Sequence, residues 1–199
     1  KVVEEKDLDF LTEQATWTAG GGPESSVAMV DKPVAAGKQA LAFSAHIDLQ
    51  GPPGAKYPAG WPSCQTTFSP PQDWSGYDSI AFRIRVDVPR RQEADAPQPP
   101  KLFPIRFIVH TAGKCTFNKL IRPFPAGQWV QARFSLAKLA DLDKVTLAHL
   151  FLCEDEYKHG EQLSFTVGGF RLCNLEKERS RLADGEAAMG LWLGERADT

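Results

Sequence analysis

The sequence predicts an all-β domain, an antiparallel β-sandwich or jelly roll of about ten strands. Three observations predict it. Apolar and polar residues alternate with a period of two in stretch after stretch, as strands do when one face lies in a core. The 16 glycines and 15 prolines fall largely between those stretches, where turns belong. Helical periodicity is scarce. At 199 residues the chain has room for one domain with a sizeable core.

In chain order, strands are expected near Glu13–Trp17 and Ser26–Val30, then where Leu41, Phe43, Ala45 and Ile47 alternate with Ala42, Ser44, His46 and Asp48. Ser63–Phe68 follows. Ile80, Phe82, Ile84, Val86 and Val88 then alternate with Ala81, Arg83, Arg85 and Asp87, and Ile105, Phe107 and Val109 with Arg106, Ile108 and His110. Thr116–Ile121, the Val130–Phe134 alternation, Leu147–Cys153 and Leu163–Leu172 complete the set. Three loops separate them: the Gly/Pro-rich Gly51–Pro62, a charged, Pro-rich excursion over Pro89–Pro104, and the acidic Glu154–Glu161, read as a hairpin tip. One helix is expected, capped by Asn174 and running through LEKERSRLAD toward Gly185. The expected division is a sandwich over 1–175 and a helical or tail segment over 176–199 that leads to a further domain. A start at Lys1, with neither Met nor an apolar signal core, reads as a trimmed or processed fragment.

The formal net charge of -2 argues against wholesale electrostatic binding of nucleic acid. No apolar run approaches the roughly 18 residues of a membrane span. The charge is uneven, however. Ser79–Arg122 carries nine Lys or Arg against three Asp or Glu, whereas residues 1–30 and 154–199 each sum to -4. A charge run is most often a solvated face. Alternation sharpens the other reading, since Arg83, Arg85, Arg106 and His110 all fall on the non-core side of their strands. If those strands are neighbours, the four side chains share one sheet face.

Catalytic and metal-binding patterns are missing. The histidines at 46, 110, 149 and 159 form no HxH or HExxH pair, and the cysteines at 64, 115, 153 and 173 have no metal-finger spacing. Buried free thiols are the simplest reading of the cysteines; one or two disulfides would also fit an exported protein, with the pairing open. Glu154, Asp155 and Glu156 resemble the paired carboxylates of a glycosidase only in composition, and a solvated acidic loop explains them. Trp17, Trp74 and Trp129 sit where large rings close the end of a sandwich core. Tyr57 and Trp61 stand apart, because a Gly/Pro-rich loop holds large rings at a cost unless they pack or bind a ligand. Stacking against the C–H face of a sugar is the chemistry that suits them.

The stretch PPQDWSGYDSIAFRIRV resembles the entry strand of galactose-binding-like β-sandwich domains, the jelly roll of many carbohydrate-binding modules. The likeness continues through CTFNKLIRPFPAGQWVQARFSLAKLADLDKVTLAHLFL and LSFTVGGFRL, with VDKPVAAGKQALAFSAHID upstream, and covers roughly Asp9 to Leu175. These are strand-entry patterns rather than catalytic signatures. The resemblance implies non-catalytic binding of a polysaccharide or oligosaccharide, beside a catalytic domain of the same parent chain, in a secreted, periplasmic or cell-surface protein. It implies no cofactor beyond a structural calcium. Against the calcium stand Gly168 and Gly169, where the family commonly carries Asp-Asn, leaving Asp7, Asp9 and Glu13 as the oxygen ligands on offer.

The expected function is therefore a non-enzymatic carbohydrate-binding module. Arg83, Arg85, Arg106 and His110 make its polar contacts, Tyr57 or Trp61 its stacking platform, and Lys114 or Asn118 its rim. The basic face admits an anionic glycan, because Arg forks match carboxylate and sulfate oxygens. Two other readings compete: a sandwich that braces a glycoside hydrolase or lyase without binding sugar, and a jelly-roll lyase or hydrolase in its own right.

Overall fold

A computed structural model of the chain describes residues 6–8, 11, 15–21, 24–31, 39–50, 61–88, 102–113 and 116–174. Eleven strands are present among the described residues: β1 (Lys6–Asp7), β2 (Thr18–Gly20), β3 (Ser25–Val30), β4 (Ala40–His46), β5 (Ser63–Gln72), β6 (Ser79–Asp87), β7 (Leu102–Thr111), β8 (Thr116–Pro125), β9 (Val130–Ser135), β10 (Val145–Phe151) and β11 (Gln162–Cys173). They form two antiparallel sheets. The first has the order β3-β4-β11-β6-β9, with β1 added to β11, and the second has the order β2-β5-β10-β7-β8. Only β3–β4 and β7–β8 are sequential neighbours within a sheet. From β4 onward every other connection crosses from one sheet to the other, as in a jelly roll.

The alternation that predicts the strands also builds the core. Ile80, Phe82, Ile84 and Val86 of β6 and Phe103, Ile105, Phe107 and Val109 of β7 turn inward and are buried. Phe82 lies 5.0 Å from Phe107 and 4.9 Å from Phe170 between ring centroids, and so ties the sheets together. The entry turn to β6 has a local cause: Asp73 Oδ1 accepts the Ser75 amide (2.9 Å) and hydroxyl (2.6 Å), an Asx-type turn. Those bonds hold the Asp73 carboxyl below its ordinary pKa. Trp74 is wholly buried beside Phe68, Trp17 is buried with its indole N–H on the Leu11 carbonyl (2.6 Å), and Trp129 is half-buried.

Two local expectations need correction. Residues 15–17 of the first expected strand are not extended into a sheet; pairing begins at Thr18, once the Trp17 ring is anchored in the core. Glu154–Glu161 is not a hairpin tip but a crossover from β10 to β11, and buried Tyr157 pins it through a hydrogen bond to the Pro104 carbonyl. Gly169 has φ +63° at an irregularity of β11 between Gly168 and Arg171, a backbone state glycine adopts without strain. The helix expected after Asn174, the 176–199 segment, most of the Gly51–Pro62 loop and residues 89–101 lie outside the described residues.

Candidate functional site

Register places the outward side chains of the second sheet in rows. Ser63, Phe151, Arg106 and Leu120 form one row across β5, β10, β7 and β8. Gln65, His149, Ile108 and Asn118 form the next, and Thr67, Leu147 and His110 a third. No Asp or Glu occupies any of these positions.

An aromatic platform stands at one end of this face. Trp61 stacks on Phe151, with 5.2 Å between centroids and 19° between planes, and remains 46% exposed. Its φ of +55° lies in the left-handed region, which bulky residues rarely enter and which stores strain. The next residue is fixed, because the Pro62 carbonyl accepts the Leu152 amide (3.0 Å) and Ser63 then pairs with Phe151. The backbone thus holds a strained turn that lays the indole over the end of β10.

Beside the platform, Arg106 donates from Nε to Cys153 Sγ (3.2 Å), and its Nη1 lies 3.5 Å from Asn118 Oδ1. His149 stands edge-on to Phe151, 5.8 Å away, and its Nε2 is buried without a hydrogen-bond partner. Burial, helped by the charge of His110, lowers its pKa to about 4.

The structure brings together Trp61, Arg106, His110 and Asn118 among the expected site residues, and separates Arg83 and Arg85 from them. β6 belongs to the first sheet and β7 to the second, and both turn their apolar residues inward. Arg83 and Arg85 therefore point outward on the opposite side of the sandwich from Arg106 and His110. A shared face required β6 and β7 to be neighbours, and they are not. Arg85 is also engaged by Asp87, with Nε at 2.9 Å and Nη2 at 2.8 Å from Oδ1. Tyr57 and Lys114 lie outside the described residues.

The first sheet has its own recess of about 450 Å³, lined by residues such as Ser26, Ser44, His46, Asp87 and Ser164, with no Trp, Tyr or Phe in its walls. Sequence reading missed Phe151, His149 and Gln65, although Phe151 and His149 occupy alternate positions of an expected strand. It also took Glu154 for a solvated residue. Glu154 is 2% exposed, and no hydrogen bond of ordinary geometry reaches either of its carboxyl oxygens. Burial pushes its pKa up to about 7; the adjacent Glu24 carboxyl adds to the rise and the Trp61 backbone amide opposes it.

Among the described residues no cluster of three or more His, Cys, Asp or Glu is placed to hold a metal ion. Asp7 lies on β1 opposite Arg171, and Asp9 and Glu13 fall outside the described residues. Cys64, Cys153 and Cys173 are not joined in disulfides, and Cys115 is outside the described residues. No described helix is long and apolar enough to cross a membrane.

No protein-family model matches the chain, and no curated protein sequence does. Among solved structures it is similar to an agarase, AgWH50C, with 11% identity, 76% of this chain and 22% of that chain covered, and a TM-score of 0.50. It is also similar to an exo-β-agarase (11% identity, 82% and 24% covered, TM-score 0.49) and to the CBM22-1 xylan-binding domain from Paenibacillus barcinonensis Xyn10C (13%, 87% and 96%, 0.44). The chain spans about a quarter or less of the two agarase chains. At these identities the likeness is one of fold, an all-β sandwich.

Proposed function

We propose that this chain is a non-catalytic carbohydrate-binding module that holds a polysaccharide on the outer face of its second sheet, beside the catalytic domain of an exported polysaccharide-degrading enzyme. The observation that carries the reading is the Trp61–Phe151 stack. An indole is kept nearly half exposed by a strained backbone, at the end of a sheet face that offers Gln65, Asn118 and Arg106 as hydrogen-bonding groups. Aromatic faces take the C–H faces of sugar rings, and the polar rows suit sugar hydroxyls. Tyr57 and Lys114 remain candidates for the rim. The agarase fold neighbour supports a setting beside polysaccharide chemistry, since the chain matches only 22% of that protein.

Binding without catalysis is favoured by the acidic residues. Glu24 lies close enough to Glu154 to help raise its pKa. Glycoside cleavage instead needs two carboxyls about 5–9 Å apart across the scissile bond.

Affinity electrophoresis through gels carrying agarose, xylan, mixed-linkage glucan or polygalacturonate tests the reading, with reducing ends and unsaturated products assayed in parallel. The expected result is retardation by at least one polymer, weakened in Trp61→Ala, with no product released. Retardation by none would leave the bracing role, and product release would make the chain an enzyme.

A further inference from the structure

The polysaccharide face has an unbalanced charge. Among the described residues, Arg83 and Arg85 lie on the outer face of the first sheet and Arg106 on that of the second, and the two faces differ in chemistry. On the first sheet Asp87 accompanies Arg85 and neutralises it at 2.8 Å. On the second sheet no outward position in the three rows is acidic, and Arg106 instead bonds a thiol and an amide oxygen. Exposed Arg122, two positions beyond outward Leu120, adds a second cation on the adjoining strand β8, whereas Lys119 pairs with the core residue Phe107 and lies over the Phe117 ring.

The orientation of Arg106 adds chemical detail. Cys153 occupies the Nε edge of the guanidinium, and Asn118 meets one Nη1 hydrogen. Three of the five N–H groups remain, one on Nη1 and two on Nη2, so the end of the fork is open. That end presents two parallel N–H bonds, the geometry that fits two oxygens of a carboxylate or a sulfate ester. Arg106 is one strand from Phe151 in the same row, so a chain stacked on Trp61 brings its neighbouring residue to the fork.

We propose that the ligand of this face is an acidic polysaccharide, a polymer bearing uronate carboxylates or sulfate esters, with Arg106 as the residue that selects the anion. The inference rests on the carbohydrate-binding reading above and specifies its substrate class.

The test uses matched polymers: polygalacturonate against its carboxyl-reduced form, and κ-carrageenan against its desulfated form, titrated calorimetrically at 50 and 300 mM NaCl. The acidic member of one pair is expected to bind at least tenfold more tightly than its neutral partner, and the pair that responds identifies carboxylate or sulfate as the anion. That binding should weaken at the higher salt. Arg106→Gln should lose at least tenfold, Arg106→Lys should retain part of the affinity, and Arg83→Gln on the opposite face should match the wild type. Thermal unfolding of each variant separates lost contacts from lost folding, with Arg106→Lys carrying the comparison if Arg106→Gln does not fold. Equal, salt-independent binding of acidic and neutral members would overturn the acidic assignment and leave carbohydrate binding standing. A larger loss in Arg83→Gln than in Arg106→Gln would overturn the choice of face. Binding to none of the four, nor to agarose or xylan, would overturn both readings.

Discussion

Two buried groups at one end of the sandwich pull stability in opposite directions across mildly acidic pH. Folding raises the Glu154 carboxyl from 4.5 to about 7 through burial, reinforced by Glu24 and Asp48 and opposed by the Trp61 amide. The folded chain therefore keeps a proton that the unfolded chain has lost. This contribution is fully present below pH 4.5 and disappears as the pH rises to about 7. His149 does the reverse. Burial and His110 lower it from 6.5 to about 4, so its contribution is present above pH 6.5 and is lost as the pH falls toward 4. Converted in full, each displacement is worth roughly 3 kcal/mol, and screening by the solvent close outside these groups leaves roughly 1–2 kcal/mol.

The perturbations are Glu154→Gln and His149→Asn, singly and together, followed by urea unfolding at pH 4.5, 5.5, 6.5 and 7.5. Relative to wild type, Glu154→Gln should gain roughly 1–2 kcal/mol between pH 4.5 and 7.5, because the amide cannot ionise against Glu24. Relative to wild type, His149→Asn should gain a similar amount in the opposite direction, from pH 7.5 down to 4.5. Parallel wild-type and variant profiles, with differences that do not change with pH, would refute the reasoning for the group concerned.

Other expectations concern the frame. Phe82→Ala empties the contact between β6, β7 and Phe170 and should cost about 3–5 kcal/mol in urea unfolding, among the largest losses for a single core residue. Gly169→Ala forces a Cβ into the left-handed region at φ +63° and should cost about 1–2 kcal/mol, without changing affinity for sugar on the opposite sheet. Cys64 is wholly buried and its thiol is pushed well up by that burial, so iodoacetamide should modify it only after unfolding, as read by mass spectrometry.

The strands were legible because a period of two is a direct consequence of a sheet with one buried face, and β6 shows it in its simplest form. Alternation says which side chains face the core. It does not say which sheet a strand joins, so Arg83 and Arg106 look equivalent in sequence and sit on opposite faces in the fold. Pairing between β10 and β7 arises from long-range topology, and it alone places Phe151 beside Arg106. Trp61 was visible as a large ring in a Gly/Pro-rich loop, but its partner Phe151 lies 90 positions away in sequence. Glu154 was misread for a related reason. Three successive acids look solvated, and only the crossover between sheets buries the first of them while Asp155 and Glu156 stay exposed.

Carbohydrate binding by this chain depends on whether the Trp61–Phe151 platform holds a sugar chain. The most direct measurement is calorimetric titration of wild type and Trp61→Ala with whichever polysaccharide retards the wild type most strongly in gels. Losing an indole's stacking surface should weaken binding by roughly tenfold or more, with the unfolding midpoint little changed because nearly half of the ring is already exposed. Equal affinity in the two proteins, or no polysaccharide that binds the wild type at all, would contradict it.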